Sequence, residues 1–165
     1  MTNELVQIND VRCTRGKFEL HIPEWTVQPG QVVGLVGPNG VGKTTLLRLL
    51  AGIEPSQSGK LSVLGKHPMQ DFVAVRSRCA FMSDDQPLFS MRISKLLRFL
   101  SGYYPSWDGS HVDELLERFE INPNDNSNTL SRGQGTRLRL LIAMAFRPDL
   151  LLLDEPLSNV DQSFK

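Results

Sequence analysis

Three short stretches carry residue types that could do chemistry. In GPNGVGKTT (Gly37 to Thr45) the residues fall at G-x-x-x-x-G-K-[ST] spacing. Glycines let a backbone curl until consecutive N–H groups face inward at phosphate oxygens, and a helix beginning there adds the positive end of its dipole. Gly37, Pro38, Asn39, Gly40, Val41 and Gly42 would form this cradle. Lys43 would bridge the β- and γ-phosphates of a nucleotide, the Thr44 hydroxyl would take one position on Mg²⁺, and Thr45 would reach the α-phosphate. Read blandly, the stretch is a glycine-rich turn. Its place between an apolar run and a helical pattern favours the phosphate reading.

The second stretch is LLLLDE, four leucines (150 to 153) running into Asp154 and Glu155. A strand that is apolar throughout can end on a carboxylate where a cation waits at its tip. Asp154 is placed to hold Mg²⁺, usually through water, and Glu155 to polarise the water that attacks a γ-phosphate. The plainer alternative is a solvated strand end beside Pro156. In the third stretch, LSRGQ (Leu130 to Gln134), Ser131 and Gln134 make a capping box that opens a helix. The same serine, with Gly133, also makes an anion site at the helix start.

These residues need elements to hold them. LVQINDV and FELHI alternate apolar and polar residues as half-buried antiparallel strands do. A turn at Pro29-Gly30 precedes Val32, Val33, Leu35 and Val36, which read as a strand buried on both faces. KTTLLRLLAG predicts a helix stopped at Gly52, and GKLSVLG and CAFMS two short strands. Ile93, Leu96, Leu97 and Leu100, then Val112, Leu115, Leu116 and Phe119, recur at helical spacing, with Ser110 as the N-cap of the second helix. A last helix spans roughly Arg132 to Phe146 and feeds the leucine strand. The pattern predicts one α/β domain: a core over 1–70 and 129–165, and a helical subdomain over about 71–128.

Composition bounds the function. The 165 residues hold 18 Lys+Arg and 18 Asp+Glu, so the net charge is zero and offers no electrostatic footprint for nucleic acid. No apolar stretch reaches the ~18 residues of a membrane span, and the first residues lack the pattern of a signal peptide. Cys13 and Cys79 lie far apart, outside any metal-like spacing, which suits a reducing compartment.

The sequence resembles the ABC (ATP-binding cassette) ATPase family over nearly its whole length. GPNGVGKTT resembles the Walker A loop, LSRGQ the signature motif, LLLLDEP the Walker B motif and SNVD the D-loop, in family order and spacing. The resemblance implies a P-loop NTPase core, a RecA-like sheet with an antiparallel β-subdomain, plus a helical subdomain. It implies an ATPase that uses ATP and Mg²⁺ and pairs head to tail, as a homodimer or heterodimer with another ABC domain. Ser131 and Gly133 would then meet the partner's γ-phosphate, and Asp161 would cross the interface. The stretch from Arg92 to Ile121 resembles the helical lobe of bacterial exporter-type subunits, which dock on an integral membrane permease. The resemblance thus implies a cytoplasmic location, peripheral on the inner face of the membrane.

Three departures stand out against that family. Asp84 falls where the Q-loop glutamine belongs, with Gln86 two residues late. Asp84 is either a hard oxygen ligand for Mg²⁺ or one of a turn of solvated acids. Arg15 falls where an aromatic residue stacks on adenine, and a guanidinium plane can do the same; Phe18, alternating with Leu20 and Ile22, reads as packing. The family's γ-phosphate histidine follows the D-loop, whereas His21, His67 and His111 all precede Walker B. The chain thus reads as truncated after the D-loop, its C-terminal part missing, with a sheet edge and apolar surface open. The expected function is ATP-driven transport through a separate permease. The alternatives are nucleotide binding without efficient turnover, or a soluble ABC ATPase outside transport.

Overall fold

The structure, a computed structural model, describes residues 4–156 and falls into two compact units, Met1–Cys79 and Ala80–Lys165. In chain order the elements are β1 (Val6–Arg15), β2 (Phe18–Val27), α1 (Lys43–Leu50), β3 (Ser58–Val63), α2 (Phe72–Arg76), β4 (Cys79–Ser83), α3 (Ile93–Ser101), α4 (Gly109–Arg118), α5 (Arg132–Met144) and β5 (Leu150–Asp154).

The first unit is built on an antiparallel sheet of order β2-β1-β3. Val6 and Ile8 face the core, and so do Val11 and Cys13, so the alternation slips by one residue between the pairs. The structure supplies that slip as an irregularity in the β1–β3 register between Asn9 and Arg12, where Asp10 takes φ 47°. One extra residue re-phases the strand and keeps its apolar side inward. Thr45, Leu47, Leu49 and Leu50 turn the buried side of α1 into the same unit. Gly52, at φ 64°, ends that helix as expected; a Cβ there would lie 2.2 Å from the Pro68 carbonyl oxygen.

One expected element is absent. Residues 31–38 form no strand, and Val32 and Val36 are 101% and 97% exposed. A strand apolar on both faces persists only between ladder partners with cover on each side. The two sheets among the described residues, β2-β1-β3 and β4-β5, do not include it. The turn before it, at Pro29 and Gly30, is present.

In the second unit β4 pairs with β5, and Ala80, Met82, Ala143 and Phe146 pack together beside Leu151 and Leu153. A larger cluster joins Ile93, Leu96 and Leu97 of α3 to Val112 and Leu115 of α4 and to Leu138, Leu141 and Ala145 at α5. The helical periodicity of these segments is therefore core packing, with each fully buried leucine contributing about 1.5–3 kcal/mol. The cap of α4 differs from expectation: Asp108, two residues before Ser110, accepts from the His111 N–H at 3.0 Å. Its other oxygen takes the Arg147 Nε–H at 2.8 Å. The His111 bond and then Arg147 hold the Asp108 carboxyl below its ordinary value, and an anion at a helix start is the better cap for it. Among the described residues no helix is long and apolar enough to cross a membrane.

Candidate functional site

Each unit carries part of the predicted chemistry. In the first, the phosphate-type loop depends on backbone that only glycine adopts readily. Gly40 sits at φ 80° and Gly42 at φ 109°, and Gly42 is the N-cap of α1. A Cβ on Gly42 would come within 2.9 Å of Phe18 Cζ and 3.1 Å of Leu20 Cδ1, so β2 packs against the loop where it has no side chain. Phe18 therefore has the packing role its alternation predicts.

Lys43 spans the loop, its Nζ donating to the carbonyls of Gly37 at 2.7 Å and Pro38 at 2.9 Å. No side chain caps α1, and its first turn holds no acidic residue. An uncapped helix start with an ammonium beside it favours an anion. Phosphate oxygens would replace neutral carbonyls as acceptors for Lys43 and make the stronger, charge-assisted bonds. Thr44 is half-buried and Thr45 buried in the same turn. Arg15, at the end of β1, pairs through Nη1 with Glu54 Oε1 at 3.4 Å.

In the second unit β5 ends as expected on Asp154, 8% exposed. The exposed Glu155 follows at φ 50°, a left-handed conformation that costs a non-glycine residue about 1–2 kcal/mol. Such strain persists where the surroundings impose it, most often at functional positions.

The capping box is formed in full. Ser131 Oγ accepts from the Gln134 N–H at 3.3 Å, and Gln134 Oε1 accepts from the Ser131 N–H at 2.9 Å. A hydroxyl that accepts in a cap keeps its proton to donate. Beside it lies a cavity of about 460 Å³, lined by Asp84, Ser127, Ser131, Arg132, Gly135 and Arg139 among others. The structure thus brings Asp84 to the cavity that holds Ser131, and it ties Asp84 to α5. Thr136 Oγ1 donates to Asp84 Oδ1 at 2.8 Å, and Arg139 Nη1 lies 3.6 Å from the same oxygen. Gln86 turns its side chain back to β4, where its Oε1 accepts from the Ser83 N–H at 3.4 Å. Asp161, with the rest of SNVD, lies outside the described residues.

The sequence reading passed over Thr136 and Arg139. No local signal marks them, since α5 also carries Arg132, Gln134 and Arg137 and their partner lies in the loop after β4.

The family model described as ABC transporter matches residues 20–158. The chain belongs to the ABC transporter family. Among curated ABC proteins it is 36% identical over 141 residues to the ABC transporter ATP-binding protein YtrB of Bacillus subtilis, covering 82% of this chain and 47% of that protein. It is 33% identical over 163 residues to the sulfate/thiosulfate import ATP-binding protein CysA of Synechococcus elongatus, covering 94% of this chain and 47% of the relative. The chain therefore spans about half the length of these curated relatives. Among solved structures, an ATP-binding subunit of an ABC transporter superposes with a TM-score of 0.85 at 22% identity, over 96% of this chain and 69% of that one. The fold is that of an ABC ATPase, a P-loop NTPase of mixed α and β structure, as the motifs imply.

Proposed function

We propose that this chain is the ATP-binding part of an ABC transporter subunit, which binds MgATP and hydrolyses it to drive transport through a separate membrane permease. The observation that carries the reading is the uncapped start of α1, with Lys43 drawn across a loop shaped by left-handed glycines. The loop Gly37–Gly42 cradles the phosphates, Lys43 neutralises the γ-phosphate, and Thr45 supports the α-phosphate. Arg15 offers a plane for the adenine, and Glu54 holds its guanidinium in one orientation. Thr44 and Asp154 are the residues that would hold Mg²⁺, which supplies charge neutralisation at the transferring phosphoryl group when bound.

Glu155 acts as general base. It takes a proton as the water oxygen bonds to the γ-phosphorus and the bond to the β-phosphate oxygen breaks. A second ABC domain pairs head to tail with this one, so that Ser131, Gly133 and Asp161 complete the partner's site. The assembly sits on the cytoplasmic side, held to the membrane by the permease. In support, the likeness to ATP-binding subunits covers both the loop and the signature.

Glu155→Gln is the test. It should retain ATP-dependent protection in a thermal-shift titration and lose phosphate release by a factor of about 10² or more, the usual contribution of a general base. Equal turnover in Glu155→Gln and the parent chain would remove Glu155 from the mechanism. Protection of both without turnover in either would leave a nucleotide-binding module.

A further inference from the structure

We propose that Asp84 is a positioning residue, not a Mg²⁺ ligand: it clamps the loop after β4 to the first turns of α5 and so sets the place of Ser131. Three contacts join the loop to the helix. Thr136 Oγ1 donates to Asp84 Oδ1 at 2.8 Å, Arg139 Nη1 pairs with that oxygen at 3.6 Å, and Arg139 Nε donates to the Gln86 carbonyl at 2.7 Å. They reach two different residues of the loop, and both partners lie on one face of α5.

Burial makes the contacts binding. Thr136 is 2% exposed, and the side chains of Arg139 and Asp84 are 18% and 25% exposed. A guanidinium largely withdrawn from solvent is stabilised by a counter-charge, which a neutral amide at position 84 would not supply. Gly135 leaves it room, because a Cβ there would stand 3.3 Å from Arg139 Nη1. The same placement argues against a metal. Oδ1 already accepts from Thr136 and is paired with Arg139, and a divalent cation beside it would face the positive charge of that guanidinium.

Asp84 and Ser131 line one cavity, and Ser131 is the N-cap of the helix that Thr136 and Arg139 belong to. Loop and helix start therefore shift together or not at all. The clamp stands on these contacts alone; that it presents Ser131 to a partner's nucleotide rests on the function proposed above.

Amide hydrogen exchange on the chain without nucleotide tests it. Asp84→Asn and Thr136→Val should each speed exchange at residues 134–138 by about tenfold, the equivalent of one lost bond to a charged group. The double variant should add little to the larger single effect, since both act on one contact. Asp84→Glu should restore much of the protection, and α4 should be unaffected throughout. The Mg²⁺ concentration needed for half-maximal ATP binding should be the same in Asp84→Asn as in the parent. Unchanged exchange in both single variants overturns the clamp. A several-fold higher Mg²⁺ requirement in Asp84→Asn, with exchange unchanged, overturns it in favour of a metal ligand. A parent chain that binds no ATP contradicts the proposed function and leaves the exchange measurement to decide the clamp.

Discussion

Two helices in this chain begin at motifs suited to anions, and they begin differently. α1 starts at Gly42 with no side-chain cap, and its lysine lies across the loop before it. α5 starts at Ser131 with both halves of a capping box made from its own residues. A self-capped start is stable as it stands. An uncapped one leaves backbone donors to be satisfied by something else. On the proposed function, the phosphate loop is the part that a nucleotide would complete, while the Ser131 start is already closed by its own cap. The clamp from Asp84 to Thr136 and Arg139 belongs with this second, finished kind of construction.

Substitutions at the two helix starts should separate them. The larger effect is expected at Gly42. Gly42→Ala forces a Cβ into a left-handed residue and against Phe18 and Leu20. Strain of about 2–4 kcal/mol follows, together with loss of ATP-dependent protection. For a chain of this length that is a fall in Tm of roughly 5–15 °C, measured by thermal unfolding. An unchanged Tm would mean that β2 does not brace the loop.

Ser131→Ala should do less. Loss of the cap costs about 1 kcal/mol, or roughly 2–4 °C, and ATP affinity at the phosphate loop should be unaltered. If it weakened ATP binding as much as a loop substitution does, the division between a completed start and an open one would fail.

The phosphate loop, the capping box and the leucine strand were all legible because their chemistry is written in spacing along the chain. Ser131 and Gln134 are three residues apart, and Lys43 follows the glycines that shape its loop. Features that depend on distant neighbours were not legible. The run from Val32 to Val36 has the composition of a buried strand, but burial requires ladder partners, and no described strand pairs with it. Asp84 meets Thr136 across 52 positions, so only the fold shows that the acidic turn is fastened to α5. Asp108 outcompeted Ser110 as cap because it also gains Arg147, 39 residues on. The short helix α2 has no legible signal, five residues being too few to establish a period. Pattern reports what is local and long enough to repeat, and apart from α2 the departures lie where distant residues meet.

The central claim is that the open start of α1 is a nucleotide site worked by Lys43. Its most direct measurement is calorimetric titration of MgATP into the parent chain and into Lys43→Ala. The account predicts saturable binding by the parent and at least tenfold weaker binding by Lys43→Ala, since the substitution removes charge-assisted bonds worth about 1.5–3 kcal/mol. Equal affinity in the two proteins, or no binding by a folded parent chain, would contradict it.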